Sequence, residues 1–331
     1  MEYSRFFTRV EDEASAHDSA PWMGYAERCW TLGSCFADEI GARMRRRLLP
    51  VRVNPCGALY NPMSIAATLC RIADGKQYDA SELFEHEGLW RSLDFHSSLS
   101  HPDRVEALSL INGRMAALHE ELPGLTRLIL TLGSAHLFED AESGRVVANC
   151  HKLPARRFTE RDAGIEEMTE ALTEAVERLR MVAPGLEVMV TVSPIRHKAY
   201  GYHRDKLSKA ALLLTADNLT RSIGARYFPS YEIMQDELRD YRFYASDMIH
   251  PSETACDYIF SRWEEACVSE ADRKCGEECL KLHARCAHRF GEHTPADVRM
   301  EFAQKTRELA GRIATRWPQA ADVIDDYLNQ I

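Results

Sequence analysis

Apolar and polar positions divide the chain into short continuous apolar runs and longer segments with helical spacing. The apolar runs predict strands at 28–32, 49–53, 125–132, 186–192 and 225–228. Apolar residues three and four apart predict helices at 36–48, 64–74, 105–122, 162–182, 205–222 and 252–267. Strands that alternate with helices form a mostly parallel sheet covered on both faces. We therefore predict an α/β fold, a three-layer α/β/α sandwich of the flavodoxin-like type.

The two ends of the chain have a different pattern. No strand is predicted beyond residue 268, and the remaining segment is charged and helical, with breaks at Pro295 and Pro318. We therefore divide the chain into a domain at 1–267 and a helical C-terminal extension at 268–331. The extension is expected to pack on the domain or to form a contact between copies of the chain. Residues 1–26 are polar and predict an irregular arm.

Ser34 lies where the first predicted strand turns into the first helix. Gly33 allows a tight turn, and helical spacing begins at Phe36. A serine at this point can simply cap the free amides of the helix. The same point is the carboxyl edge of the sheet, where open α/β folds bind their ligands and a helix N-terminus stabilises negative charge. Ser34 is therefore also a candidate nucleophile.

An Asp-x-x-His sequence precedes the last helix of the predicted domain. Asp247 and His250 are three residues apart in a turn, so the carboxylate can accept the ring Nδ1–H while Nε2 faces outward. This arrangement fixes the tautomer of a general base and stabilises the imidazolium that forms. A helix-capping turn is the alternative, since Asp and Pro are common before helices. Ser34, His250 and Asp247 together would supply a nucleophile, a base and an orienting acid.

Cysteines offer competing interpretations. Cys35 could replace Ser34 as the nucleophile, because a helix N-terminus lowers the pKa of a thiol. Cys150 and His151 are adjacent, but neighbouring residues of a strand face opposite sides. Four residues share one face of a helix in the C-terminal extension: Cys275, Cys279, His283 and Cys286. At 1.5 Å per residue they span about 16 Å, too far for one metal ion, so we predict a packed stripe and no metal within the chain.

Composition and charge narrow the class of function. Of 331 residues, 45% are hydrophobic and 28% are charged, as in ordinary globular proteins. A net charge of −10 argues against a nucleic-acid partner. No apolar run reaches the roughly 20 residues that span a bilayer, so no membrane partner is predicted. Ten unevenly spaced cysteines without a secretory signal predict reduced thiols and a cytoplasmic location.

Five short motifs stand at the predicted turns and loops. The first is Gly33-Ser-Cys-Phe-Ala37, and the others lie at 54–62, 147–152, 191–197 and 247–252. They resemble the motifs of the GSCFA family, which is similar to the SGNH/GDSL esterases, over roughly residues 25–265. The resemblance implies an SGNH-like fold with its nucleophile at Ser34, its base at His250 and its orienting acid at Asp247. It also implies that the backbone amides of Ser34 and Gly57 form part of an oxyanion hole.

The sequence departs from the SGNH pattern after the third predicted strand. SGNH enzymes usually place Gly-x-Asn there and use the Asn side chain as an oxyanion donor, whereas this chain has Gly133-Ser-Ala-His136. Losing one such donor costs about 10²–10³ in rate, so we predict a replacement. Asn149, in a hairpin predicted at 143–154, and His136 are the first candidates, and Ser134 is the third.

The leading prediction is a serine-dependent ester hydrolase that forms an acyl-enzyme on Ser34 and acts on a small-molecule or glycan acyl ester. The alternatives are an O-acyltransferase with the same triad and a non-catalytic binding protein on the same fold. Lys152, Arg196 and His197 lie at the same edge and are candidate substrate-binding residues, or partners of nearby carboxylates. No cofactor is predicted, and the C-terminal helices are a candidate homo-oligomer contact.

Overall fold

The structure is a computed structural model that describes residues 21–329, so most of the predicted arm at 1–26 lies outside the described residues. The strands are β1 (Cys29–Gly33), β2 (Val51–Val53), β3 (Phe84–His86), β4 (Leu89–Arg91), β5 (Arg127–Leu132), β6 (His136–Asp140), β7 (Val146–Val147), β8 (Phe158–Asp162), β9 (Glu187–Val192) and β10 (Arg226–Tyr227).

The helices are α1 (Cys35–Arg46), α2 (Pro62–Ala73), α3 (Arg104–Glu121), α4 (Ile165–Val182), α5 (Tyr202–Ser222), α6 (Ser230–Glu232), α7 (Glu253–Cys267), α8 (Glu270–Cys286), α9 (Ala296–Arg316) and α10 (Ala321–Asn329). Within residues 21–329, no helix has the length and apolar content that crossing a membrane requires.

The central sheet is entirely parallel, with its strands in the order β2-β1-β5-β9-β10. Counted along the chain, this is the order 2-1-3-4-5 of flavodoxin-like folds, so the predicted fold class is confirmed. Gly33 pairs with Thr131, and Leu132 pairs with Val192, so β1, β5 and β9 end together at one edge. Strand order reverses between β1 and β5, and ligands of such folds bind in the crevice at that point.

Alternate residues of the strands face two separate apolar clusters. Leu128, Leu130 and Leu132 belong to the cluster that contains the buried faces of α2, α3, α4 and α5. Ile129 and Met189 belong to the opposite cluster, which contains the buried faces of α1 and α7. Because successive side chains of a strand point to opposite faces, the sheet lies between two helical layers.

The helices of the C-terminal extension contribute to the cluster that contains α1 and α7. Cys275, Cys279, Ile313 and Ile324 are each 2% exposed or less within it. The extension therefore packs on the domain, which is one of its two predicted roles. The predicted helix breaks are confirmed as well, since α9 begins directly after Pro295 and ends before the 3₁₀ turn that starts at Pro318.

A second, antiparallel sheet with the order β7-β6-β8 follows the third strand of the central sheet. The segment predicted as a hairpin and loop at 143–154 contains β7 and the loop after it, and β7 pairs back with β6 across the turn at 141–145. The helix predicted from residue 162 begins at Ile165, since the chain through Asp162 is still paired as β8. The charged residues of β8 leave no continuous apolar run, and β8 was not predicted for that reason.

Arg43 joins α1 to α7, the helices that begin just after the two predicted catalytic segments. Its side chain is 3% exposed and donates to Glu39, Glu253 and Asp257 at 2.6–2.9 Å. These carboxylates are 45–74% exposed, so the arrangement places one buried cation among solvated anions. The contact fixes the first turn of α7 against α1.

Arg43→Met is expected to lower the free energy of unfolding by about 2 kcal/mol, because charge-assisted hydrogen bonds are worth about 1.5–3 kcal/mol. Denaturant unfolding measures the change, and Arg45→Met, on the exposed side of the same helix, is the matched control. Equal stability of the two variants would show that the Arg43 contacts contribute nothing net.

Candidate functional site

The candidate site lies where β1 and β5 end and strand order reverses. Gly33, the last residue of β1, has φ +145°, and a Cβ atom there would lie 2.1 Å from the carbonyl oxygen of Thr131. Glycine is therefore required for β1 and β5 to approach this closely. The chain then turns at Ser34 into α1, whose N-terminus points at the crevice.

Ser34 is the N-cap of α1, as the sequence predicts. Its Oγ accepts a hydrogen bond from Phe36 N at 3.3 Å, and the residue is 1% exposed. A hydroxyl in this position satisfies one of the free amides of the first turn. The structure therefore places the Ser34 side chain against the helix backbone, beneath the surface of the crevice.

Cys35, His250 and Asp247 are the residues that the structure brings together in a row. The Nε2 atom of His250 lies 3.6 Å from Cys35 Sγ, and its Nδ1 atom lies 2.6 Å from Asp247 Oδ2. His250 and Asp247 are 47% and 43% exposed at the side chain, and Cys35 is half-buried. The predicted contact between Asp247 and the ring is thus present, and the outward-facing nitrogen meets the thiol of Cys35.

The turn that carries Asp247 and His250 is held by hydrogen bonds within its own segment. Asp247 Oδ1 accepts from the amides of Ile249 and His250 at 2.9 and 3.0 Å, and the Ala245 amide donates to the His250 carbonyl at 2.8 Å. The hydrogen bond from the His250 ring, followed by these two amides, holds the pKa of Asp247 well below its usual range. Asp247 is therefore an anion that fixes Nδ1 as the protonated nitrogen.

The loop after β2 supports the turn at Ser34 from the other side. Asn54, at φ +38°, accepts from Gly33 N at 2.9 Å through Oδ1 and donates to the Ser34 carbonyl at 3.4 Å through Nδ2. Gly57, at φ +81°, donates its amide to the carbonyl oxygen of Asn54 at 2.8 Å, which closes a turn. The Tyr60 carbonyl then accepts the amide of Gly133 at 3.0 Å. The loop thus ties β1 to the exit of β5.

Burial governs the ionisation of the thiol at the site. It raises the pKa of Cys35, and the Asp38 carboxylate adds to the rise, while a hydrogen bond from the Tyr60 hydroxyl acts in the opposite direction. Burial also raises the pKa of Tyr60 to about 12, with the thiol adding to it. At neutral pH Cys35 is therefore a thiol, and Tyr60 is a phenol that can donate a hydrogen bond.

The rate at which iodoacetamide alkylates Cys35 is expected to keep rising as the pH passes 9, the ordinary pKa of a thiol. The thiolate is the reacting form, and a raised pKa moves its formation to higher pH. Peptide mapping by mass spectrometry separates Cys35 from the other cysteines. A rate that levels off near neutral pH would instead show a thiolate–imidazolium pair in the resting protein.

The three predicted replacements for the missing Asn all have partners in the structure. Asn149 Oδ1 accepts from His151 N at 2.8 Å. The two ring nitrogens of His136 lie 2.9 Å from Asp162 Oδ1 and 3.2 Å from Glu160 Oε2.

Ser134, the third candidate, has its Oγ 2.7 Å from the Tyr200 hydroxyl and accepts the His136 amide at 3.0 Å. Ser134, Asn149 and His136 are therefore each hydrogen-bonded to a neighbouring loop or to the second sheet. The Gly57 amide likewise has a partner, because it donates to the Asn54 carbonyl within its own turn.

The predicted substrate-binding residues have three different environments. Lys152 is exposed and has φ +58°. Arg196 lies over the Tyr244 ring at 4.0 Å, and its amide and guanidinium donate to the carbonyls of Ile249 and Met248 at 3.2 and 3.4 Å. Arg196 therefore contacts the turn that carries His250.

His197 is half-buried between two tyrosine rings. Its ring meets that of Tyr60 edge-on at 6.2 Å and stacks on that of Tyr200 at 5.9 Å. Burial, reinforced by the charge of Lys209, lowers the pKa of His197 to about 4. His197 is therefore a neutral ring in the aromatic wall of the crevice, next to Tyr60.

The remaining cysteine candidates lie away from this contact. His151 is buried, with Nε2 2.8 Å from the Ser92 carbonyl oxygen. Cys275 and Cys279 are buried with their sulfur atoms 3.9 Å apart, and His283 pairs with the Tyr327 hydroxyl at 2.8 Å. Among the described residues, no group of three or more His, Cys, Asp or Glu is arranged to hold a metal ion.

Sequence reasoning did not single out Asn54, Tyr60 or Lys209, whose polar groups bind the backbone at the exits of β1, β5 and β9. Asn54 and Tyr60 lie in the 54–62 motif, so the motif was a usable signal. Lys209 stands on the apolar face of a predicted helix, where a lysine is itself unusual. Its contacts nevertheless depend on tertiary structure.

Comparison with known proteins places the chain in a family. The model of the GSCFA family matches residues 28–263, which include β1, α1 and the whole contact of Cys35 with His250 and Asp247. No curated protein and no solved structure matches the chain. The chain belongs to the GSCFA family.

Proposed function

We propose that this member of the GSCFA family is an acyl-transfer enzyme in which Cys35 is the nucleophile, His250 is the general base and Asp247 orients the base. The observation that carries the proposal is the 3.6 Å contact between Cys35 Sγ and His250 Nε2. Nucleophile, base and orienting acid within hydrogen-bond reach are the signature of covalent catalysis. The sequence-based prediction assigns the same base and acid but uses Ser34, which here caps α1.

The first half of the reaction would form an acyl-enzyme. Cys35 Sγ attacks the carbonyl carbon of an acyl ester while His250 Nε2 takes the thiol proton. The tetrahedral intermediate then loses the ester C–O bond, and the departing alcohol takes the proton back from His250. Asp247, an anion beside Nδ1, stabilises the imidazolium between the two steps. The acyl group is left on Cys35 as a thioester.

The second half would transfer the acyl group to a hydroxyl. Water or a second alcohol attacks the thioester carbon and gives its proton to His250, and the C–S bond breaks to restore the Cys35 thiol. Water as the acceptor gives an esterase, and an alcohol gives an O-acyltransferase. A small-molecule or glycan acyl ester fits the open position of His250, which is half-exposed.

The oxyanion of each intermediate needs hydrogen-bond donors. Cys35 is the first residue of α1, so its amide belongs to the turn whose N–H groups have no acceptor within the helix, at the positive end of the helix dipole. The Tyr60 hydroxyl, which lies beside the thiol, is the second donor in the proposal. In this proposal the Cys35 amide and the Tyr60 hydroxyl take the oxyanion-binding roles predicted for Gly57 and for the replacement of the missing Asn.

Trapping the acyl-enzyme tests the proposal. After reaction with an aryl acetate and acid quench, mass spectrometry is expected to find one acetyl group on Cys35. The label should survive in Ser34→Ala and be lost in Cys35→Ala, and neutral hydroxylamine should remove it as a thioester. Acetyl on Ser34 would instead support the serine esterase. The absence of any covalent label in active-site peptides, with no turnover, would support a binding protein.

Kinetics separate hydrolase from transferase. We expect a simple aryl acetate to turn over steadily, because water can reach the half-exposed His250. The release of the aryl alcohol, followed by its absorbance, measures this. A single burst that stalls until a polyol is added would show an acyltransferase.

The proposed chemistry requires a cell compartment in which cysteines stay reduced. A thiol nucleophile requires a reducing environment, and all ten cysteines are free in the structure, including the neighbouring pair Cys275 and Cys279. We therefore place the protein in the cytoplasm within this proposal.

A further inference from the structure

Arg196 is a half-buried cation beside the turn that carries His250. Its backbone amide donates to the Ile249 carbonyl at 3.2 Å, and its guanidinium donates to the Met248 carbonyl at 3.4 Å. Met248 and Ile249 directly precede His250, whose Nε2 atom lies 3.6 Å from Cys35 Sγ. These two hydrogen bonds therefore fix the guanidinium next to the proposed base.

The residue after Arg196 borders the same crevice. His197 places its ring edge-on to the ring of Tyr60, with 6.2 Å between the ring centres. The Tyr60 hydroxyl in turn forms a hydrogen bond with the Cys35 thiol. The segment after β9 thus reaches the proposed nucleophile through His197 and Tyr60, and the proposed base through Arg196.

Three tyrosine rings lie around the guanidinium of Arg196. Its Cζ atom is 4.0 Å from the ring centre of Tyr244, 5.8 Å from that of Tyr241 and 5.9 Å from that of Tyr202. Tyr244 is buried, whereas Tyr202 and Tyr241 are 53% and 68% exposed. Cation–π contacts hold a guanidinium in place without neutralising its charge. The guanidinium is therefore a fixed cation whose surroundings are open to solvent.

The charge of Arg196 has no counter-ion among the described residues. No carboxylate there forms an ion pair with it, and its guanidinium donates to the Met248 carbonyl alone. Asp247, the carboxylate in the same turn, binds the His250 ring and two backbone amides instead. The buried Arg43, by contrast, is paired with three carboxylates. A partly buried guanidinium with unused N–H groups is suited to bind an anion.

The charges around Arg196 favour an anion with one negative charge. Arg196 supplies one positive charge, and Asp247 is itself an anion, because the His250 ring and two amides hold its pKa well below its usual range. A carboxylate carries one negative charge and accepts two parallel N–H bonds from a guanidinium. A phosphate dianion would be repelled more strongly by Asp247. A carboxylate is therefore the anion that fits this position best.

We propose that Arg196 is a specificity-determining residue that binds a carboxylate of the substrate, so that the site acts on acyl esters that carry a free carboxylate. The inference rests on the proposed function, since it names the substrate class of the same site. The guanidinium binds the carboxylate, and Cys35 and His250 act on the ester carbonyl a short distance away.

The alkylation of Cys35 by two reagents of similar size tests the charge without requiring turnover. Iodoacetate carries a carboxylate and iodoacetamide is neutral, and both react with the same thiolate, so the ratio of their rates is independent of thiol ionisation. The measurement is made at about pH 9, where a histidine is ordinarily neutral. Arg196→Gln is expected to lower the ratio of iodoacetate to iodoacetamide labelling about fivefold.

Arg242→Gln is the matched control. Arg242 is 74% exposed at the side chain and lies 3.8 Å from the Asp240 carboxylate, and its removal is expected to leave the ratio unchanged. An unchanged ratio in folded Arg196→Gln overturns the inference, and so do equal changes in the two variants. If Arg196→Gln does not fold, salt decides with the unaltered protein: about 0.5 M salt should slow iodoacetate but not iodoacetamide, and equal responses overturn the inference.

Turnover then locates the carboxylate within the substrate. The half-ester of glutaric acid with 4-nitrophenol carries it on the acyl part, and 4-acetoxybenzoate carries it on the alcohol part. Their neutral counterparts are 4-nitrophenyl butyrate and phenyl acetate. Arg196→Gln is expected to lower kcat/KM about tenfold or more for one of the charged esters, and to leave both neutral esters within about twofold.

The two proposals fail in different ways. Turnover of all four esters with equal losses in Arg196→Gln overturns the carboxylate inference and leaves the proposed acyl transfer in place. Full turnover in Cys35→Ala rejects the proposed function, and the labelling ratio of Cys35 still reports whether Arg196 attracts a carboxylate to this crevice.

Discussion

Cys35→Ala is expected to lower the turnover of an acyl ester by at least about 10³-fold, whereas Ser34→Ala is expected to keep it within about tenfold. The first variant removes the atom that contacts His250 Nε2 at 3.6 Å. The second removes a hydroxyl that caps α1, which costs about 1 kcal/mol of stability. Steady-state kinetics on an aryl acetate, with folding checked by circular dichroism, measures both.

Two further variants make the comparison decisive. His250→Ala combined with Cys35→Ala should cost little more than either change alone, since the two residues act as a unit. Cys150→Ala, at a half-buried cysteine away from His250, is the control for the general loss of a thiol. A large loss in Ser34→Ala with full activity in Cys35→Ala would return the nucleophile to Ser34.

The turn at Ser34 and Cys35 shows which parts of the candidate site could be predicted from the sequence. The strand, the turn at Gly33 and the start of the helix were all predictable from apolar spacing, and so was the capping role of Ser34. Which of the two adjacent side chains lies against His250 depends on how the turn at Ser34 is rotated against the loop before α7. Asn54, about 20 residues further along the chain, binds the Gly33 amide and the Ser34 carbonyl, and such tertiary contacts hold the turn.

The fold itself was largely predictable, because the three central strands β1, β5 and β9 are mostly apolar and alternate with helices of clear apolar spacing. Strand order was expected to be flavodoxin-like, and β2-β1-β5-β9-β10 has that order. The second sheet was missed because β6 and β8 have only five residues each, and their charged residues leave no continuous apolar run. This error also affects the candidate site, since His136 belongs to that sheet and binds its carboxylates.

The C-terminal helices connect the stability of the fold to the site. On the near side of α8, a Cβ atom on Gly276 would lie 3.3 Å from the Arg47 side chain, which follows α1. Tyr25 donates to the Arg47 carbonyl at 2.7 Å and lies against Cys275 and Cys279. The other end of α1 begins at Cys35. Loss of the extension would therefore uncover the helix that carries the proposed nucleophile.

A chain that ends at residue 268 is expected to be insoluble or to lose its cooperative unfolding transition, because the cluster around α1 and α7 would be exposed to water.

Ile313→Ala in the full chain tests the same packing by removing one side chain instead of the whole extension. Ile313 is 2% exposed, and its truncation is expected to lower the free energy of unfolding by about 3 kcal/mol. Met300→Ala on the same helix, at a residue 73% exposed, should change it by less than about 0.5 kcal/mol. Denaturant unfolding of the three proteins measures the differences. A truncated chain with wild-type stability and turnover would show that the extension serves another purpose, such as a contact between copies of the chain.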